Sequence, residues 1–348
     1  MRIIKKYAPG ILLALLIAAV SKWLESLLPI HLIGASVIAL FIGMLINHFW
    51  HPEWLKPGLA FTSKKLLKFA IILLGLSLNI ITVIDVGKMS LIVMVFTLLT
   101  CFGVGYFVGK ILKLNWKTSN LISAGTGICG GSAIAALAPV IDADDMDVAY
   151  AMSATFIFDM VMILLFPFMG QWLGLSDEAY GLWAGTAVND TSSVVAAGFA
   201  YSEAAGEFAT MVKLTRTLSI IPVVLIFAFI NTRLKQKQPG AVKEKTKVKF
   251  TKLFPWFILG FLGLTAINST GIIPEIVSTG AKETSKFIMV SALAAIGLNT
   301  NFKKMAKSGA RPMLHGFIIS ALVVIVAIAV EYAMHIFGIA DFPFYTAA

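Results

Sequence analysis

The chain carries one stretch of sequence twice. Residues 124–136 read AGTGICGGSAIAA and residues 184–197 read AGTAVNDTSSVVAA. Ala124-Gly125-Thr126 aligns with Ala184-Gly185-Thr186, Ser132 with Ser192 and Ala136 with Ala196, all at one offset of 60. Both copies sit inside uncharged apolar stretches, and both hold small and polar residues at their centres. Such interruptions survive at membrane depth only where protein or a water-lined cavity satisfies the opened backbone. Two of them are therefore expected to face one shared interior.

Composition supports the membrane setting. The 348 residues are 58% hydrophobic and only 13% charged, and the mean hydropathy is +0.88. Uncharged runs at 26–52, 89–109, 118–141, 253–274 and 312–330 are long enough, or nearly so, to cross a hydrocarbon core. Shorter runs at 7–21, 69–84, 217–232 and 287–302 are flanked by Lys or Arg able to snorkel to the interface. The expected fold is all-α, a polytopic membrane protein of about nine to eleven membrane segments forming one transmembrane domain over 1–348. Helices are predicted near 8–24, 30–48, 66–83, 89–110, 146–170, 207–231, 253–268, 285–299 and 312–335, with broken elements near 119–140 and 178–201. The only long polar segment, 232–252, is read as a basic cytoplasmic linker.

The net charge of +10 follows topology and not a single face, which argues against nucleic acid as a partner. Basic residues fall in alternate loops: Arg2, Lys5 and Lys6; Lys56 to Lys68; Lys110, Lys113 and Lys117; Arg233 to Lys252; and Lys303 to Arg311. The opposite loops hold Glu25, Asp85, Asp177, Glu178, Glu203, Glu207, Glu275 and Glu283. The positive-inside pattern puts the N-terminus in the cytoplasm and the C-terminus outside, in a multi-pass protein of the cytoplasmic (inner) membrane. The first apolar run lacks a small-residue cleavage site and is read as a membrane helix, not a signal peptide. Cys101 and Cys129 lie in separate segments and form no redox or metal motif.

A second similarity has a different offset. Lys68-Phe69 leads to Gly75-Leu76-Ser77-Leu78-Asn79, and Lys286-Phe287 leads to Gly297-Leu298-Asn299, about 220 residues later. A duplication whose second unit has a rearranged order produces both offsets. The Lys68 and Lys286 units are expected to be inverted. The repeated broken elements are parallel if they cross the membrane and inverted if they are re-entrant hairpins; inverted repeats favour hairpins.

Several side chains are candidates for chemistry. In the first element Thr126, Cys129, Gly130, Gly131 and Ser132 allow a close backbone approach, and a half-helix starting near Gly131 turns free N–H groups inward. The second element offers Asn189, Asp190, Thr191, Ser192 and Ser193. Close helix packing accounts for the Ala and Gly but poorly for the run Asn-Asp-Thr-Ser-Ser. Lys213 and Arg216 share a helix face, and burying them is costly unless they meet water, an acid or an anion. They are read as substrate-binding, with a snorkelling pair as the alternative. Asp159 and Asp190 are carboxylates at membrane depth, read as carriers of a proton or cation or as partners of Lys213 and Arg216. Asn79 and Asn299 line a path or cap helix ends. His48-x-x-His51 and Glu331 are read as interfacial, and His315 as isolated. Gly125-x-Gly127-x-x-Gly130 follows no strand and is not a nucleotide site. HExxH, GxSxG and P-loop motifs are missing, so no enzyme, cofactor or metal is expected.

The segments LISAGTGICGGSAIAALAPV (121–140), GLWAGTAVNDTSSVVAAG (181–198) and ATMVKLTRTLSIIPVVL (209–225), with GLSLN (75–79) and IGLNTNF (296–302), resemble the YeiH-type sulfate exporter family. That family is grouped with the bile-acid/arsenite transporter superfamily. The resemblance implies a core domain with two broken, crossing elements, a more mobile panel, and cation or proton coupling. The sequence departs from the family pattern at Asn189, where His is expected.

Together these readings predict a secondary transporter that moves a small anion, an oxyanion or sulfonate, by alternating access. A passive anion channel and a membrane signalling or scaffold protein are the other two readings. The expected partners are the anionic substrate, H⁺ or Na⁺ as coupling ion, the lipid bilayer and a second copy in a homodimer.

Overall fold

The structure is a computed structural model describing residues 2–27, 34–50, 52–236, 254–300, 309–340 and 342–346. Its regular elements, among the described residues, are helices, the form in which a single segment satisfies all its own backbone groups in lipid. Helix α1 spans Arg2–Leu27 and α2 spans Ala35–Phe49. Residues 53–77 form α3, which includes a wide π turn at Thr62–Leu66. Helix α4 covers Ile80–Ile111. The first broken element comprises α5 (Trp116–Ala124), a π turn (Gly125–Cys129) and α6 (Gly131–Leu137). Helix α7 is Asp145–Trp172. The second broken element comprises α8 (Asp177–Ala187) and α9 (Thr191–Tyr201). Residues 203–236 form α10, and α11 (Trp256–Ser269), α12 (Glu275–Asn299) and α13 (Ala310–Ile336) follow. Five of these, α1, α4, α7, α10 and α13, are long and apolar enough to cross a membrane.

Several predicted boundaries move: α3 begins at Glu53 and not near 66, and α12 at Glu275 and not near 285. The sequence placed helices at 66–83 and 89–110, but the break falls at Leu78-Asn79. The Asn79 side chain accepts the Ile81 N–H at 2.8 Å and so opens α4, whereas the sequence reading had Asn79 close the preceding helix. The polar stretch around Asp85 and Lys88 stays helical because the two side chains pair at 2.9 Å, three residues apart on an exposed face. Of the predicted linker 232–252, residues 232–236 continue α10; 237–252 lie outside the described residues.

Both broken elements are re-entrant hairpins. At the base of the first, Lys117 Nζ donates to the Asp142 carbonyl at 2.6 Å and Thr118 bonds Asp147, so the chain leaves where it came in. At the base of the second, Ser202 Oγ donates to Asp177 at 2.6 Å, and the rings of Tyr180 and Tyr201 stack 3.9 Å apart. The two bases lie at opposite ends of the molecule. One end carries Lys113, Lys117 and Arg311 and is called here the basic end; the other carries Asp177 and Glu203 and is called the acidic end.

The same local device builds both bases. Leu114 N–H bonds the Gly109 carbonyl at 2.9 Å and Leu175 N–H bonds that of Gly170 at 3.1 Å, each reaching back five residues. The preceding residues, Lys113 (φ 54°) and Gly174 (φ 63°), take the left-handed conformation that ends a helix. Asn115 and Ser176 then cap the first helices of the hairpins.

The helices sort into two bundles. The hairpins, α4, α7, α10 and α13 share the largest apolar core, which continues onto α3, α11 and α12 through residues such as Leu74, Phe261 and Met289. A second cluster joins α1, α2, the start of α3 and the second half of α12, and α11 packs on α3. A third cluster, including Val37, Leu40, Met160, Ile163, Ala196 and Leu293, lies where the two bundles meet. Helices α2–α4 and α11–α13 run in opposite senses, as expected for the Lys68 and Lys286 units. The rearranged order is visible at the acidic end. The first hairpin directly follows α4. The second follows α7, yet residues 342–346, just past α13, lie against its base: Ser176 N–H bonds the Phe344 carbonyl at 3.0 Å, and Thr346 N–H bonds that of Gly174 at 2.8 Å.

Helices α2 and α12 touch through backbone. A β-carbon on Gly297 would meet the Leu40 carbonyl and lie 3.1 Å from the Gly43 Cα. Neither obstacle is a side chain that can turn away. Gly297→Ala is expected to force the helices apart and cost about 1–3 kcal/mol, read as a lower midpoint in thermal unfolding in detergent.

Candidate substrate site between the hairpin tips

The first hairpin turns at Gly130. Glycine-rich sequence holds an α-helix weakly, and over Gly125–Cys129 the helix widens into the π turn, with Gly130 N–H bonding the Gly125 carbonyl at 2.9 Å. Gly130 then adopts φ 61°, ψ −133° and α6 begins. The second hairpin turns through extended residues Val188 and Asp190. The two tips touch: a β-carbon on Gly130 would sit 2.8 Å from Asp190 Oδ1 and 3.1 Å from its Cα.

A turn at membrane depth leaves backbone groups to be satisfied, and three buried charged side chains and the half-buried Asp190 do this. Asp159, in the middle of α7 and 1% exposed, accepts from the N–H of Asn189 at 2.9 Å and of Asp190 at 3.0 Å, one on each carboxylate oxygen. Asp190 caps α9, accepting the Ser192 N–H at 2.9 Å and the Ser192 hydroxyl. On the carbonyl side, Lys213 Nζ donates to Val188 at 2.9 Å. Arg216 donates through Nε to Gly127 at 2.7 Å, Nη1 to Val188 at 3.2 Å and Nη2 to Thr126 at 2.5 Å. Carboxylates thus take the positive ends of the broken segments and cations the negative ends. Arg216 binds both tips and fastens one to the other.

Arg216 spends its bonds within the protein. Its three bonds all go to backbone carbonyls, because α10 runs past both tips at the level where their carbonyls point. Lys213 and Arg216 are 0% and 1% exposed, which replaces the snorkelling alternative. Among the described residues neither forms an ion pair with Asp159 or Asp190. Both keep unspent donors: one of three N–H groups is used on Lys213 and three of five on Arg216. Beside them Thr126 Oγ1 and Asn189 Oδ1 are buried with no hydrogen-bond partner.

The structure brings together Thr126, Gly130, Asn189, Asp190, Lys213, Arg216 and Asp159. Cys129, Gly131, Ser132, Thr191 and Ser193 flank the two turns in sequence; Cys129 and Ser193 are buried, Thr191 is half-buried and Ser132 is exposed. One neighbour escaped the sequence reading. Ser320, fully buried in α13, lies 3.5 Å from Asn189 Nδ2; a lone serine in an apolar run was its only signal. His315 is not isolated: its Nε2 is 2.9 Å from the Gly105 carbonyl and 3.2 Å from Ser119 Oγ. Glu331, expected at the interface, is 1% exposed. His51 lies outside the described residues.

Inverted helical units and paired re-entrant hairpins with buried charge at their tips define an all-helical polytopic membrane protein with an interior polar site. The chain belongs to the family described as Conserved hypothetical protein 698, whose model matches residues 9–316; this is the YeiH-like family that the hairpin segments resemble. Similar relatives named UPF0324 membrane protein occur in Clostridium tetani, 57% identical over 96% of this chain and 99% of the relative, and in Streptococcus pneumoniae, 42% identical over 97% and 100%. Another in Streptococcus pyogenes is 43% identical over 94% of this chain and 97% of the relative. No solved structure matches.

Proposed function

We propose that the protein is a secondary transporter of a small anion, an oxyanion or sulfonate, and that the anion binds between the hairpin tips. The observation that carries this reading is the meeting of two hairpins from opposite ends beside Lys213 and Arg216, with unspent donors and the unpartnered Thr126 hydroxyl. A site at the junction of inverted units is reached from either face by moving one bundle against the other. The basic end is the cytoplasmic face in this reading.

The charges point to coupling. Two carboxylates and two cations sum to zero, so an anion bound there adds uncompensated negative charge in a low-dielectric site. A proton or Na⁺ taken up with it restores neutrality. Export of an anion from a negative-inside cell runs downhill, whereas uptake works against about 2.3 kcal/mol per charge per 100 mV.

Thermal shift of the purified protein across inorganic and organic anions identifies the ligand. Flux into proteoliposomes then separates saturable, gradient-driven transport from a passive pore; no shift and no flux with any anion would reject both. Asp190→Asn is expected to alter the pH or Na⁺ dependence of flux beyond a loss of rate, since the variant keeps a side-chain oxygen for the Ser192 N–H but gives up the charge. A variant with the wild-type pH and Na⁺ profile would make Asp190 a helix cap only.

A further inference from the structure

The two bundles are tied together by charge at the acidic end, and the geometry points to an ionic latch there. Helix α10 belongs to the hairpin bundle and carries Lys213 and Arg216 to the tips. Its first turns carry Glu203 and Glu207, one turn apart on one face. Helix α12 belongs to the other bundle and presents Lys282 and Lys286, also one turn apart. The four interlock: Lys282 Nζ lies 2.5 Å from Glu203 and 2.8 Å from Glu207, and Lys286 Nζ lies 2.6 Å from Glu203. The cluster extends along its own bundle through Lys286–Glu283 at 3.1 Å and Lys22–Glu283 at 3.6 Å, the latter reaching α1.

Three features make this a closure that can open. First, among the described residues, the ion pairs between the two bundles are all at this end. Second, the outer turns of α12 bury little apolar surface. Ile276 is 82% exposed, and the buried residues of α12 begin only at Ser285. Third, further along α10, Met211, Leu214 and Leu218 line an apolar crevice of about 510 Å³ together with Ile258 and Phe261 of α11 and Ile84 and Leu91 of α4. The side chains of the cluster are partly solvated, from 15% exposed at Glu207 to 56% at Glu283. Pairs of that kind hold weakly one by one and are screened by salt; as a network they fix one arrangement without making it permanent.

We infer that Glu203, Glu207, Lys282 and Lys286 are the gate that shuts the acidic end over the hairpin tips. The inference rests on the transport reading for its purpose, but not for its test. The chain has two cysteines, and Cys129 lies one residue from the first tip, 2% exposed. In a Cys101→Ala background it is the single thiol, and a membrane-impermeant maleimide applied to the acidic face of oriented vesicles reports opening. Cys129 is expected to label slowly in the parent and several-fold faster in Lys282→Gln/Lys286→Gln. Reversing all four charges together (E203K, E207K, K282E, K286E) is expected to return the rate towards that of the parent. Raised salt is expected to speed labelling of the parent and leave the neutralised variant unmoved. An unchanged rate in a folded neutralised variant overturns the latch, as does failure of the reversed variant to slow. If the double variant does not fold, Glu203→Gln, at a half-exposed position touching both lysines, carries the same test. Labelling needs no transported substrate: a failed latch labels without gating whatever the flux, and a failed transport reading leaves gated labelling with no flux for any anion.

Discussion

Arg216→Gln is expected to unfold the centre of the protein more than to weaken any single ligand contact. The guanidinium holds the carbonyls of Thr126, Gly127 and Val188 and is 1% exposed. Glutamine is shorter and cannot reach both tips, so at least one of the Thr126 and Gly127 carbonyls loses its donor, while Val188 keeps that of Lys213. Each orphaned group costs about 1–3 kcal/mol, and the loss also leaves Asp159 and Asp190 facing a single cation. A fall in the thermal midpoint that high anion concentration does not restore is the expected result. A variant with the parent's midpoint and only a raised Kd would return Arg216 to a purely substrate-facing position. Arg216→Lys is expected to recover little, because one ammonium on a flexible stem does not reproduce a planar fork aimed at separate carbonyls.

Gly130→Ala is the second large effect. The backbone there sits at φ 61°, ψ −133°, a region that residues with a side chain hold at a cost of about 1–3 kcal/mol. The added methyl would also lie 2.8 Å from Asp190 Oδ1 and 2.9 Å from its Cβ. The strain is local, yet the collision is between the two hairpins, so the expected outcome is separated tips in a chain whose outer helices persist. Hydrogen exchange at the Asn189 and Asp190 amides reads this directly. Faster exchange at those two positions, with α1, α2 and α12 unchanged, is the predicted pattern. Gly131→Ala is the control, since a β-carbon there finds nothing nearer than the flexible Met152 thioether at 3.5 Å.

The parts of this architecture that the sequence disclosed are those written in period and charge. The apolar runs located the helices, and the repeat at 124–136 and 184–197 located both breaks, because only a backbone that leaves the helix needs glycine and hydroxyl groups in the middle of a membrane. The hairpin form was favoured but not fixed, since the loops at 142–147 and 171–178 carry too little basic charge to set their side. It is decided by contacts such as Lys117 with Asp142, which no local pattern announces. The same limit applies to the charges. That Lys213, Arg216, Asp159 and Asp190 belong together was legible from their depth. What each one holds was not, because carbonyls and amides are on every residue and carry no sequence signature. Asn79 shows the local version of the problem: a cap looks the same in sequence whether it ends one helix or starts the next. The Glu203–Lys282 cluster was visible only as loop charge, since its pairing joins helices separated by the whole of α11.

Residues 342–346 bear on how the protein is made. The base of the second hairpin is finished by Ser176 binding the Pro343 carbonyl, 167 positions later, and by the adjacent Phe344 and Thr346 bonds. A ribosome releases the hairpin, α10, α11, α12 and α13 before the segment that seats its foot. Until then the second hairpin waits in the bilayer with that side of its base unpaired, while the first, whose α4 directly precedes it, can close as soon as α7 follows. The two halves of one symmetric site are therefore completed at different times during synthesis.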